Sequence, residues 1–180
     1  MYTRNLLWLV SLVSAAPLYA ADVPANTPLA PQQVFRYNNH SDPGTLDPQK
    51  VEENTAAQIV LDLFEGLVWM DGEGQVQPAQ AERWEILDDG KRYIFHLRSG
   101  LQWSDGQPLT AEDFVLGWQR AVDPKTASPF AGYLAQAHIN NAAAIVAGKA
   151  DVTSLGVKAT DDRTLEVTLE QPVPWFTTML

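Results

Sequence analysis

The groups in this chain that could do chemistry are few and scattered. Adjacent acids occur at Glu52-Glu53 and Asp161-Asp162, but chain neighbours point to different sides and make a poor general acid/base pair. His40, His96 and His138 lie far apart without ligand spacing. His96 alternates out from Tyr93, Phe95 and Leu97 and is expected on the solvent side of a strand. Asp71-Gly72-Glu73-Gly74 resembles a calcium loop superficially. The alternating ligands and downstream bidentate acid of an EF-hand are missing, so a hairpin turn is expected. There is no Gly-x-Ser-x-Gly, no phosphate-cradling glycine loop and no cysteine. The residues therefore argue against an enzyme and imply no cofactor and no metal. Recognition without bond breaking is the chemistry left to explain.

The elements that would position a recognition surface are legible in places. Thr55, with Gln58 three residues on, heads a helix whose stripe is Ala56, Ile59, Val60, Leu63 and Phe64. Gly66 is placed to end it in the left-handed conformation. Val34 to Asn38 reads as a strand, and Leu67 to Met70 as another, closed by the turn at 71–74. Arg83 to Leu87 and the alternating Tyr93, Phe95 and Leu97 flank Asp88-Asp89-Gly90-Lys91 as a hairpin. Asp105-Gly106 makes a tight turn before Pro108. Thr110 and Asp113 then form a capping box for a helix over 110–122, which Asp123-Pro124 ends. Two helical pieces follow near 130–138 and 140–148. A last strand over 163–169 buries Leu165, Val167 and Leu169. Trp69, Trp84, Trp103 and Trp118 sit at core-consistent positions.

Composition narrows the partners. Twenty-two acidic and 12 basic residues give a net charge of −10, and no basic run is present, so nucleic acid and anionic membranes are poor partners. Residues 1–20 read as a signal peptide, with Arg4, an apolar Leu6 to Val13 and a small-residue exit near Ala20. Pro17 breaks the apolar run, which falls short of the roughly 20 residues a membrane span needs. Without cysteine there is neither disulfide nor lipid-ready thiol. A soluble, exported protein is expected.

The order of specific residues then carries a resemblance. Trp103-Ser104-Asp105-Gly106-Gln107-Pro108-Leu109-Thr110-Ala111-Glu112-Asp113-Phe114, preceded by Phe95-His96-Leu97-Arg98, is its densest part. Ser41-Asp42-Pro43-Gly44-Thr45-Leu46-Asp47-Pro48, Asp62-Leu63-Phe64-Glu65-Gly66-Leu67, Ala81-Glu82-Arg83-Trp84-Glu85, Asp123-Pro124-Lys125-Thr126-Ala127-Ser128-Pro129-Phe130 and Pro172-Val173-Pro174-Trp175-Phe176 extend it. In this order the chain resembles the periplasmic dipeptide/oligopeptide-binding family, extracellular solute-binding protein family 5, of ATP-binding-cassette importers.

The resemblance implies a mixed α/β fold of the periplasmic-binding-protein type II kind. Residues 21–64 would be an incomplete N-terminal segment of lobe I. Residues 65–180 would be most of the extra β-rich domain of the large peptide-binding members, cut short at the C-terminus. It implies capture of a short peptide, or another small solute, by a monomer that serves an inner-membrane permease. The peptide's backbone pairs with protein strand segments, and hinge closure buries it. Carried over residue by residue, Glu52, Glu53 and Asn54 match the segment that meets ligand backbone. Asn54 would offer main-chain groups and Glu52 a polar contact. The same acids could simply complement the positive end of the following helix. Phe130 stands where peptide-binding relatives carry a cleft-lining Tyr, which keeps the ring and loses the hydroxyl. Two other expectations follow: a truncated, transport-incompetent fragment, or a binder of a non-peptide amphipathic solute.

Overall fold

The computed structural model describes residues 27–28, 31–32 and 34–180. The signal-peptide reading of residues 1–20 lies outside these. The chain divides into two units, residues 1–38 and 39–180. In the first, Val34 to Asn38 belongs to no strand, and Phe35 and Tyr37 stack on each other with ring centroids 6.0 Å apart. The expected strand is thus corrected: alternation makes a segment able to pair, but a strand exists only where a second ladder supplies its hydrogen bonds.

The second unit is built on a four-stranded antiparallel sheet. Its strands are β3 (Ala81–Leu87), β4 (Arg92–Leu97), β5 (Val157–Asp161) and β6 (Thr164–Thr168), in spatial order β3-β4-β6-β5. Period-2 alternation puts Tyr93, Phe95 and Leu97 of β4 and Leu165 and Val167 of β6 on one fully buried face. Phe95 lies opposite Leu165 and Tyr93 opposite Val167, so the register doubles the apolar layer. On the other face Glu166 of β6 pairs with Lys158 at 2.8 Å, and His96 lies 2.8 Å from Glu85. Both outer strands break register, between Ala81 and Arg83 in β3 and between Ala159 and Asp161 in β5. A separate two-stranded hairpin joins β1 (Val68–Met70) to β2 (Val76–Pro78). At its turn the Asp71 carboxylate accepts from the backbone of Glu73 and Gln75 at 2.9 Å each.

Helix α2 (Ala111–Val122) covers β5 and β6 and buries Ala111, Val115 and Val122. Its start is the expected capping box: the Asp113 carboxylate accepts from the Thr110 amide at 2.7 Å and from its hydroxyl at 3.0 Å. Such a cap is worth about 1 kcal/mol. The short helices α3 (Ala131–Gln136) and α4 (Ala142–Val146) close one end. The 3₁₀ turn Phe176–Met179 packs at that same end, where the Phe176 ring meets Tyr93 at 4.7 Å and the Tyr133 hydroxyl of α3 donates to the Met179 carbonyl at 3.1 Å.

Helix α1 (Asn54–Leu63) departs from expectation at both ends. It starts one residue before Thr55 with Glu53 at its cap and no side-chain capping bond. The Thr55/Gln58 capping box is therefore absent. The helix ends at Phe64 in extended geometry, and Gly66 has no positive φ. Only Ala56 of its apolar stripe is buried, while Leu63 is 60% and Phe64 45% exposed. Trp69 and Trp103 are likewise exposed and not core residues. Each sits beside a turn of a two-stranded element that has no layer packed over that side.

Candidate functional site

Glu52, Glu53 and Asn54 are all exposed, immediately after buried Val51 and at the N-terminal end of α1. Their position is set by the loop before them. The Asp47 carboxylate receives both Arg120 guanidinium nitrogens, at 2.9 and 2.6 Å, and Arg120 also donates to Gln49 Oε1 at 2.6 Å. Gln49 Nε2 donates in turn to the Gly117 carbonyl at 2.5 Å. This clasp fixes the 47–49 loop to α2. It also holds the Asp47 carboxyl at about 2, well below its ordinary value, chiefly through the hydrogen bond from Arg120. Glu53 lies against Gly44, where an added Cβ would approach Glu53 Oε1 to 2.8 Å. Glycine there lets the loop come close.

Phe130 is 49% exposed at the start of α3. Its amide donates to Ser128 Oγ at 3.2 Å, and that hydroxyl donates to the Gln49 carbonyl at 2.7 Å. Ser128 therefore ties the Phe130 turn to the segment that leads into Glu52. The two candidate stretches, 76 residues apart in number between Asn54 and Phe130, are anchored to one loop. The sequence reading missed the anchors Asp47, Gln49, Arg120 and Ser128. Their signal was an acid and an amide in the 47–49 loop, a guanidinium on α2 and a hydroxyl at 128, which no spacing rule joins.

Beside this clasp runs a groove of about 550 Å³. Its walls are Pro48 and Gln49, the α1 end Leu63-Phe64-Glu65, Trp103 of the tight turn, and Phe114, Gly117 and Trp118 of α2. Gln80 also lines it, and its Oε1 is buried without a hydrogen-bond partner. Among the described residues no three His, Asp or Glu side chains gather as a metal site. Histidines instead meet neighbours: His96 Nε2 lies 2.8 Å from Glu85 and His138 Nε2 lies 2.9 Å from Gln171. The arrangement offers an exposed helix start after the 47–49 loop, an exposed ring tied to that loop through Ser128, and an apolar trough beside them.

The sequence model of the bacterial extracellular solute-binding proteins, family 5 Middle, matches residues 75–180, and the chain belongs to that family. It is 99% identical over all 180 residues to a protein of Escherichia coli named a probable deoxycholate-binding periplasmic protein, covering 34% of it. It is 51% identical over 96% of its length to the periplasmic oligopeptide-binding protein OppA of Salmonella typhimurium, covering 32% of that chain. Among solved structures, the unliganded open form of the periplasmic murein tripeptide-binding protein MppA superposes with a TM-score of 0.74 at 47% identity. That match covers 76% of this chain and 26% of the other. Haemophilus influenzae OppA in complex with the peptide RPPGFSPFR matches with a TM-score of 0.75 at 45% identity, covering 78% and 28%. The mixed helix-and-sheet fold is thus that of the N-terminal part of periplasmic peptide-binding proteins. The chain spans about a third of the length of the curated relatives it matches. These relatives are named as periplasmic binding proteins, and no helix among the described residues is long and apolar enough to cross a membrane.

Proposed function

We propose that this chain supplies the N-terminal part of the exported substrate-capturing component of an ATP-driven importer. Its ligand is a short peptide held through its backbone. Glu52, Glu53 and Asn54 give exposed main-chain and carboxylate groups, Phe130 gives ring contact, and the importer's membrane permease is the partner. The observation that carries this reading is the shared anchoring of the two stretches to Gln49 through Ser128. This shared tie to Gln49 supports treating the two stretches as parts of one site. Relatives named for oligopeptides at 51% and 49% identity support the ligand class.

A second reading has its own support. The 99%-identical relative is named for deoxycholate, and a Phe at 130 suits the apolar face of an amphipathic solute better than a hydroxyl would. One titration separates the two. The longer, 99%-identical protein is titrated calorimetrically with a tripeptide panel and with deoxycholate, each with the native residue and with Phe130→Tyr. Under the peptide reading the native protein binds tripeptides, and the tyrosine strengthens that binding by about 1 kcal/mol through its restored hydrogen bond. Under the amphiphile reading only deoxycholate binds, and the tyrosine weakens it. If neither class gives heat or thermal stabilisation, the capture function itself is wrong.

A further inference from the structure

We infer that Ser128 is a positioning residue for solute capture: its single hydroxyl couples the turn that carries the Phe130 ring to the loop that leads into residues 52–54, so that the two halves of the candidate site move as one. Its role in capture rests on the reading that 52–54 and Phe130 meet the solute. The half-buried Ser128 hydroxyl donates to the Gln49 carbonyl at 2.7 Å and accepts from the Phe130 amide at 3.2 Å. Its one proton and one of its lone pairs are thus both engaged. Among the described residues, no other hydrogen bond or ion pair joins the 123–130 turn to the 47–54 loop.

Each half is otherwise held separately. In the turn, the Asp123 carboxylate accepts from the Lys125 amide at 2.9 Å, and the Ala127 amide donates to the Pro124 carbonyl at 3.1 Å. Ala127 stands in the left-handed region at φ 51° and ψ 44°, a conformation that costs a residue with a Cβ and persists only where its surroundings impose it. Pro129 then fixes the φ that follows Ser128. The turn therefore sets its own shape, and its tie to the neighbouring loop comes from the Ser128 hydroxyl. In the loop, Arg120 grips Asp47, and Gln49 Nε2 donates to the Gly117 carbonyl. Those contacts leave the Gln49 main-chain carbonyl to receive Ser128. Removing the hydroxyl would part the two halves and spare the Asp47–Arg120 clasp.

The test uses the longer, 99%-identical protein with Ser128→Ala and with Ser128→Thr, which keeps the hydroxyl. Without solute, amide exchange is followed at Ala57, bonded to the Glu53 carbonyl, at Tyr133, bonded to the Phe130 carbonyl, and at buried Phe95 of β4. Ser128→Ala is expected to speed Ala57 and Tyr133 together by about fivefold, as for loss of one neutral hydrogen bond. Phe95 should be unchanged, and Ser128→Thr should restore both. Acceleration at Tyr133 alone, or at all three, overturns the coupling. Calorimetric titration with the tripeptide panel and with deoxycholate then reads capture. Whichever probe the native protein binds should bind Ser128→Ala about fivefold more weakly and Ser128→Thr as tightly as the native. With Phe130→Ala already present, Ser128→Ala should change affinity by less than about twofold, because the ring it positions is gone. Additive losses, or unchanged affinity in Ser128→Ala, overturn the positioning role and leave capture standing. Failure of the native protein to bind either probe overturns the capture reading and this role with it.

Discussion

Removing the Asp47 carboxylate charge tests whether the clasp, rather than α1 itself, positions the candidate ligand segment. In Asp47→Asn the two short contacts to Arg120 lose their charge, while side-chain size is kept. The Asp47 carboxyl sits at about 2 against an ordinary 3.8, a gap equivalent to roughly 2.4 kcal/mol were the pair shut away from water. Arg120 is nearly half exposed and Asp47 a quarter, so screening reduces the expected loss to about 1 kcal/mol. The sign is set by linkage. A depressed carboxyl stabilises the folded chain above the unfolded value, near pH 4, and that advantage fades as pH falls through about 2. Urea unfolding of native and Asp47→Asn chains from pH 7 to pH 2 should therefore show a difference of about 1 kcal/mol that is constant above pH 5 and vanishes near pH 2. In addition, backbone amides of 52–54 should exchange faster in the variant at pH 7. Equal stability at every pH, or unchanged exchange at 52–54, would show that the clasp holds nothing in place.

Other outcomes are more local. Phe95→Ala empties the centre of the β4–β6 layer and should cost about 3–5 kcal/mol, read as loss of a cooperative thermal transition. Gly156→Ala would set a Cβ 2.6 Å from the Thr168 carbonyl and 2.7 Å from Asn140 Cβ. A cost of about 1–3 kcal/mol is expected, with faster amide exchange along β5. Asp113→Ala removes the α2 cap and should cost about 1 kcal/mol in chemical unfolding. Burial raises the Tyr93 phenol above its ordinary 10, so native stability should hold below pH 10 and fall as the pH rises above it. Tyr93→Phe, which also gives up the 3.3 Å bond to the Val173 carbonyl, should flatten that alkaline loss in a melting series.

Legibility followed the source of each element's stabilisation. β4 and β6 could be read because burial on one face writes itself as alternation, and α2 because its cap is local. β5 was missed: Lys158, Thr160 and Asp161 leave only Val157 and Ala159 as apolar marks, and the strand is created by its ladder with β6. At 34–38 the reverse happened, with alternation present and no strand formed. Thr55 and Gln58 had the right spacing for a cap, but the helix began earlier and their roles disappeared. The exposed Glu52, Glu53, Asn54 and Phe130 were suggested by resemblance alone. Their shared anchor at Gln49 arises from contacts 71 and 79 residues apart, through Arg120 and Ser128, which only folding reveals.

The register breaks at the two rims of the four-stranded sheet have a bearing on life in a crowded compartment. An unbroken rim is a template onto which a neighbouring molecule can add its own strand. Here β3 is kinked and carries Glu82, Arg83 and Glu85, while β5 is kinked and carries Lys158 and Asp161. An incoming chain would meet mismatched amides and fixed charge at either end. Both rims are therefore poor templates for strand addition.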